Sequence, residues 1–193
     1  MIYLITNRHL ANEEKYLRTL REASLAGVER IILREKDLSN EQLEELYYKV
    51  KEVINPATEI IINSNIEILK KVGEKILQLP FKSFMEFHNE KNWEIGVAVH
   101  SIEEGIAACE KGCSYILASH IFPTKCKDGL APKGIEFIKE LSEKVTCNII
   151  ALGGISTENA QSVIEAGADG VAVMSAFFMC EDVGELVQGL IGK

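Results

Sequence analysis

Eight times along the 193-residue chain, a short apolar run is followed by a stretch whose apolar residues recur at helical spacing. That alternation restricts the fold more than any other feature. The apolar runs are Met1 to Ile5, Val28 to Leu33, Glu59 to Asn63, Lys75 to Pro80, Trp93 to Val99, Ser114 to Ala118, Asn148 to Leu152 and Val171 to Met174. They lack strict apolar/polar alternation, as do parallel strands covered on both faces. Strands that alternate with helices make βα units, and eight such units predict a (β/α)8 TIM barrel, one domain over residues 1–193. An open doubly wound sheet uses the same alternation but rarely takes eight units in so short a chain.

The helix signals agree. Asn12-Glu13-Glu14 opens a helix carrying Tyr16, Leu17, Leu20 and Leu25 and ending at Gly27, and Gly73 and Gly112 end two others. Ser39 with Gln42, and Ser101 with Glu104, predict capping boxes. A helix over 134–144 sets Ile135, Ile138 and Leu141 on one face; Ser156 to Asn159 opens the next, and a last helix starts near Glu181. Residues 81–92 are the least regular part of the chain.

Charge and cysteine content narrow what such a barrel binds. Lys and Arg number 21 against 29 Asp and Glu, a net charge of -8, which disfavours nucleic acid or an anionic membrane as partner but allows a local basic pocket for one small anion. No apolar run approaches the roughly 20 residues needed to cross a bilayer, and the chain opens on a strand-like run with no charged n-region, so a soluble cytoplasmic protein is expected. Cys109, Cys113, Cys126, Cys147 and Cys180 form no CxxC pair and read as reduced, structural thiols. No acids stand at helical metal spacing, so neither a metal nor another cofactor is expected. Cys126 lies between Lys125 and Lys127, whose charge would lower its pKa, but no partner base accompanies it.

In such barrels functional groups sit at the C-terminal strand ends, which selects Asn7, Arg34, Lys36, Asn63, Gln78, His100, His120, Gly153-Gly154 and Ser175. Gly153-Gly154 with Ser175-Ala176 follows the last two strands, where backbone N–H groups can approach a phosphate; the plainer reading is a pair of turn glycines. Arg34 and Lys36 flank Glu35 and, as alternate residues, can both face the mouth to clamp an anion, or form a solvated rim. His9 and His88 read as surface residues, and His100 either ends its strand or joins the site. His120 follows a buried strand at Ser119-His120-Ile121-Phe122-Pro123-Thr124-Lys125-Cys126-Lys127-Asp128-Gly129. A partly desolvated imidazole there has a pKa near or below neutral and suits proton transfer, although a strand-end histidine can equally be structural.

These motifs converge. Arg34-Glu35-Lys36, Ile62-Asn63, Pro123-Thr124-Lys125-Cys126-Lys127, Leu152-Gly153-Gly154-Ile155 and the run Ala166 to Ser175 resemble the thiamine phosphate synthase superfamily over nearly the whole chain. The resemblance implies its barrel and one of two chemistries. Synthases join a thiazole phosphate to a pyrimidine pyrophosphate with magnesium; TenI-type thiazole tautomerases move a proton and aromatise the thiazole without a metal. The synthase pattern is broken at Ile32, where Gln is usual; at Asn63-Ser64, where Asn-Asp is; at Gln78 to Phe84, where acids are; and at Cys126, which replaces a hydroxyl. The tautomerase branch is similar at Gln78-Leu79-Pro80 with Ser83-Phe84, at Val99-His100-Ser101 with Glu103-Glu104, and from Tyr115-Ile116-Leu117 through His120-Ile121-Phe122 to Cys126-Lys127 and Gly129-Leu130. Pro123 and Lys125 stay synthase-like, and Ser119 replaces a common glycine.

The resemblance implies that His120 is the acid/base of a thiazole tautomerase in thiamine biosynthesis, with the substrate phosphate at Gly153, Gly154 and Ser175. It further implies substrate contacts from Arg34, Lys36, Asn63, Gln78, His100 and Lys127, with Arg34, Lys36 or Lys127 balancing the substrate's carboxylate, and a homodimer. A diverged thiamine phosphate synthase and a non-catalytic thiazole phosphate-binding or regulatory protein are the alternative expectations.

Overall fold

The computed structural model describes residues 1–124 and 129–192. Its strands are β1 (Ile2–Ile5), β2 (Arg30–Leu33), β3 (Glu59–Asn63), β4 (Ile76–Pro80), β5 (Glu94–Val99), β6 (Tyr115–Ser119), β7 (Asn148–Leu152) and β8 (Gly170–Val173). Each runs parallel to the next and β1 pairs with β8, closing the expected barrel. The missing alternation in the sequence has a direct cause. Tyr3, Ile5, Ile32, Ile61, Ile76, Tyr115, Leu117, Ile150 and Ala172 fill the barrel, while the intervening Ile2, Leu4, Ile31, Leu33, Ile60 and Ile62 pack beneath the helices. Both faces of every strand are buried, so both are apolar.

The helices are α1 (Glu13–Ala26), α2 (Asn40–Val53), α3 (Ile66–Val72), α4 (Phe81–Glu86), α5 (Ile102–Glu110), α6 (Ile135–Lys144), α7 (Ala160–Glu165), α8 (Ser175–Met179) and α9 (Val183–Ile191). The Asn12 side chain accepts from the Lys15 N–H at 2.9 Å to start α1, and Gly27, at φ 114°, ends it in a left-handed turn. The box at α2 is complete: Ser39 Oγ accepts from the Gln42 N–H at 3.3 Å, and Gln42 Oε1 accepts from the Ser39 N–H at 3.0 Å. No helix among the described residues is long and apolar enough to cross a membrane.

Three expectations need correction. The box at α5 is half formed: Ser101 Oγ accepts from the Glu104 N–H at 3.2 Å, but the Glu104 carboxylate reaches one residue further back, to the His100 N–H at 2.6 Å. The irregular segment contains α4, whose six residues bury only Phe84 and have no side-chain N-cap, too little for a period to register. The last βα unit carries an additional helix, α8, starting at Ser175; its five residues bury Phe177 and Phe178, fewer than two turns of pattern.

Arg30 closes the N-terminal end of the barrel. Its Nε donates to Glu59 at 2.8 Å, its guanidinium pairs with Glu94, and Nη1 donates to the Tyr3 hydroxyl at 3.0 Å. The same group lies 5.5 Å from the Tyr3 ring centre and 5.9 Å from that of Tyr115. Burial, only partly offset by Arg30, pushes the Tyr3 hydroxyl up to about 12, so it stays a neutral donor and acceptor. With this end plugged, the cavity opens at the C-terminal strand ends.

Candidate active site at the barrel mouth

A cavity of about 470 Å³ opens there, large enough for a small phosphorylated heterocycle. Arg34, Lys36, Asn63, Gln78, His100, His120, Gly153, Gly154 and Ser175 all line it, so the sequence-selected strand-end residues within the described chain, Asn7 excepted, meet at one place. Lys127 lies outside the described residues, as do Lys125 and Cys126. Asn7 is used elsewhere: its Oδ1 caps the turn Arg8–Leu10 by accepting from the His9 N–H at 3.1 Å.

Arg34 and Lys36 both reach the mouth, and neither makes an ion pair among the described residues. Glu35 between them turns the other way and is 5% exposed; both its oxygens accept from the Arg8 N–H at 3.1 Å, and Oε1 accepts from the Tyr16 hydroxyl at 3.2 Å. The acid is thereby removed from the mouth while the two cations remain there.

His120 is 4% exposed, and its Nε2 is shielded from solvent with no hydrogen-bond partner among the described residues. An unsatisfied buried nitrogen costs stability of about 1–3 kcal/mol, and such groups are tolerated where they have a task. The backbone around it is held firmly. The His120 carbonyl accepts from Lys133 N–H at 2.9 Å and the Ile121 carbonyl from Gly134 N–H at 3.0 Å; Ile121 and Phe122 in turn donate to Leu152 and Gly153 at 3.0 and 2.9 Å. The peptide bond Ser119-His120 is cis. One strand away, the exposed His100 sets Nδ1 3.1 Å from both the carbonyl and the hydroxyl oxygen of Ser119. His100 thus supports the residue preceding His120, and the strand-ending and site-lining readings both describe it.

Gly153 and Gly154 sit at φ 101° and φ 66°. A Cβ on Gly153 would stand 2.4 Å from the Cβ of His120, and one on Gly154 2.6 Å from the Pro123 carbonyl oxygen. The missing side chains are therefore already required by the loop packed against them, apart from any ligand. No hydrogen bond among the described residues engages the N–H of either glycine, which leaves both donors at the cavity wall available to an anion.

The floor holds an arrangement the sequence reading missed. Gln78, Gly96 and Tyr115 share one level on β4, β5 and β6. A Cβ on Gly96 would fall 2.0 Å from the Tyr115 ring, so the glycine admits that ring, and the Tyr115 hydroxyl donates to Gln78 Oε1 at 2.8 Å. Gln78 is 3% exposed and lines the cavity floor; with its oxygen held by Tyr115, its amide nitrogen donates to the Leu79 carbonyl at 3.4 Å. The signal in the sequence was a glycine facing a tyrosine across neighbouring strands, which becomes visible only once the register is known. Tyr115→Phe is expected to destabilise the protein by about 1–3 kcal/mol by orphaning the Gln78 oxygen. Adding Gln78→Met should recover part of this loss; thermal melts that show strict additivity would dismiss the coupling.

The cavity wall contains no Asp or Glu among its described residues, and no group of three or more His, Cys, Asp or Glu there forms a cluster suited to a metal. A hard cation such as Mg²⁺ selects carboxylate oxygens, so this donor set does not fit it.

Residues 2–177 match the model of the TMP-TENI family, described as thiamine monophosphate synthase. The thiamine-phosphate synthase of Pyrococcus abyssi is 33% identical over 98% of this chain and 92% of its own length; that of Clostridium tetani is 30% identical over 99% and 94%. Among solved structures, a thiamine phosphate pyrophosphorylase from Pyrococcus furiosus superposes with a TM-score of 0.84 at 28% identity, covering 98% of this chain and 93% of the other. Orotidine 5'-phosphate decarboxylase from Pyrococcus horikoshii shares the fold, with a TM-score of 0.74 at 16% identity.

Proposed function

This chain belongs to the thiamine monophosphate synthase family, and from that premise we propose that it is the family's proton-transfer enzyme, a thiazole tautomerase. The observation that carries this reading is the pairing of a buried, unpartnered His120 Nε2 with a mouth that has cations and no carboxylate among its described lining residues. The substrate is a 2-carboxy-4-methylthiazole ethyl phosphate in its ylidene form. His120 takes the proton from the ring carbon that bears the carboxylate. The electron pair released moves through the ring into the exocyclic double bond, whose far carbon takes the proton back from the imidazolium. Aromatisation supplies the driving force, and one base serves for both steps.

The remaining groups bind and orient. The N–H groups of Gly153 and Gly154 and the hydroxyl of Ser175 hold the phosphate. Arg34 and Lys36 offset the carboxylate and the charge that grows on deprotonation, and the Gln78 amide, held by Tyr115, contacts the ring from below.

The names of the relatives favour a second reading, thiamine-phosphate synthase. Against it stands the donor set, which among the described residues lacks the acids a pyrophosphate-bound magnesium would require. Two assays separate the readings. With the ylidene tautomer and EDTA, the tautomerase accelerates formation of the aromatic thiazole; with the pyrimidine pyrophosphate, the thiazole phosphate and Mg²⁺, it releases no coupled product. Coupling without tautomerisation would establish the synthase reading, and activity in neither assay would leave a binding protein.

A further inference from the structure

At the opposite end of the barrel from His120, three of the cysteines converge. Cys113 lies in the connection between α5 and β6, two residues ahead of the strand, and Cys147 immediately precedes β7. The register Tyr115↔Asn148 draws these two strand entries together, and the Sγ atoms stand 3.7 Å apart. Cys109, at the end of α5, accepts the N–H groups of Cys147 and Thr146 on its Sγ at 3.3 and 3.4 Å. None of the three lines the cavity at the mouth. Cys180 behaves differently: its thiol donates to the Phe177 carbonyl at 3.5 Å within its own turn, as a structural cysteine does.

We propose that Cys113 and Cys147 are a thiol modification site, closed to an intramolecular disulfide by a two-electron oxidant such as hydrogen peroxide and reopened by a dithiol. A disulfide needs sulfurs about 2.05 Å apart, so the pair must close by roughly 1.7 Å, within reach of small side-chain rotations. Cys113 is 7% exposed and Cys147 is half-buried, so Cys147 is the more open residue of the two and Cys113 the more protected. The hydrogen bond with Cys113, and then burial, push the Cys147 thiol above its ordinary range. The Cys147 thiol is therefore held protonated, and closing the pair requires the oxidant.

In the step itself, one thiol of the pair gives its proton to solvent, and the resulting thiolate attacks one peroxide oxygen and breaks the O–O bond. This leaves a sulfenic acid and hydroxide, which takes up a proton as water. The neighbouring sulfur then attacks the sulfenic sulfur, forming the S–S bond and releasing a second water. Two thiols lose two electrons and one peroxide gains them.

The consequence follows from where the cysteines lie in the chain. They are 34 positions apart, and the ring closed between them contains β6, His120 and α6. Oxidation would thus place the unit that carries His120 inside one covalent loop. Restricting a loop of this length in the unfolded chain is expected to raise Tm by roughly 5–10 °C.

The test treats the whole protein with limiting peroxide, blocks remaining thiols by alkylation and maps the peptides by mass spectrometry. The expected result is a Cys113–Cys147 linked peptide, lost on reduction, together with the rise in Tm. Cys109→Ser should keep the link, and Cys147→Ser, checked for folding by its melt in reductant, should lose both link and Tm rise. Peroxide-treated protein in which Cys113 and Cys147 are both still alkylated, or in which Cys147 is joined to Cys109 instead, would overturn the proposal.

Discussion

Replacing His120 by glutamine is expected to lower kcat for tautomerisation by about 10²–10⁴-fold, the usual weight of a positioned acid/base group. The amide keeps roughly the length and polarity of the ring but cannot carry a proton between two carbons. Stability should change little, because the Nε2 that is removed makes no hydrogen bond within the described protein. The informative comparison is therefore a rate measurement beside a melt. A variant that melts like the wild type and loses at least a hundredfold in rate supports His120 as the base, whereas equal rates in two folded proteins would rule it out.

Gly153→Ala is expected to produce the largest combined effect on stability and activity, without touching a proton-carrying group. Its Cβ would meet the His120 Cβ at 2.4 Å and the His120 Cα at 2.9 Å, and the backbone contact has no rotamer by which to give way. Strain from a left-handed backbone costs about 1–3 kcal/mol and overpacking about 1–3 more, which together lower Tm by roughly 5–15 °C. Because the displaced atoms belong to His120, kcat should also fall, by about 10²-fold for a shift near 1 Å. Calorimetry and the tautomerisation assay on one preparation test both parts. A variant that keeps its melting temperature and rate would show that the loop can move aside, contrary to the hydrogen bonds from Ile121 and Phe122 to Leu152 and Gly153.

These two expected results bear on how much of the site was legible in the residues. The strand ends were legible because their signals are local: Arg34 and Lys36, just beyond the end of β2, line the mouth, while Glu35 between them is turned away to Arg8 and Tyr16. The role of the glycines was legible only in part. Gly153-Gly154 reads from sequence as an opening for phosphate, and the N–H groups suit that reading, but the space where the side chains would stand is taken by residues 120–123. Glu104 reads as the partner of Ser101, yet it caps the N–H of His100 one residue further back, a choice made by the geometry of the strand exit.

The sequence by itself determined the βα alternation, the barrel class, the strand ends that line the cavity and the acid/base candidate, since each depends on residues near one another in the chain. The tertiary structure alone decided that Gly96 admits Tyr115 so that Tyr115 can hold Gln78, that Gly153 makes room for His120, that α8 follows β8 directly, and that Cys113 meets Cys147 beneath β6 and β7. These contacts depend on which residues stand level on neighbouring strands. Register is set by closure of all eight strands at once, and no local period carries it.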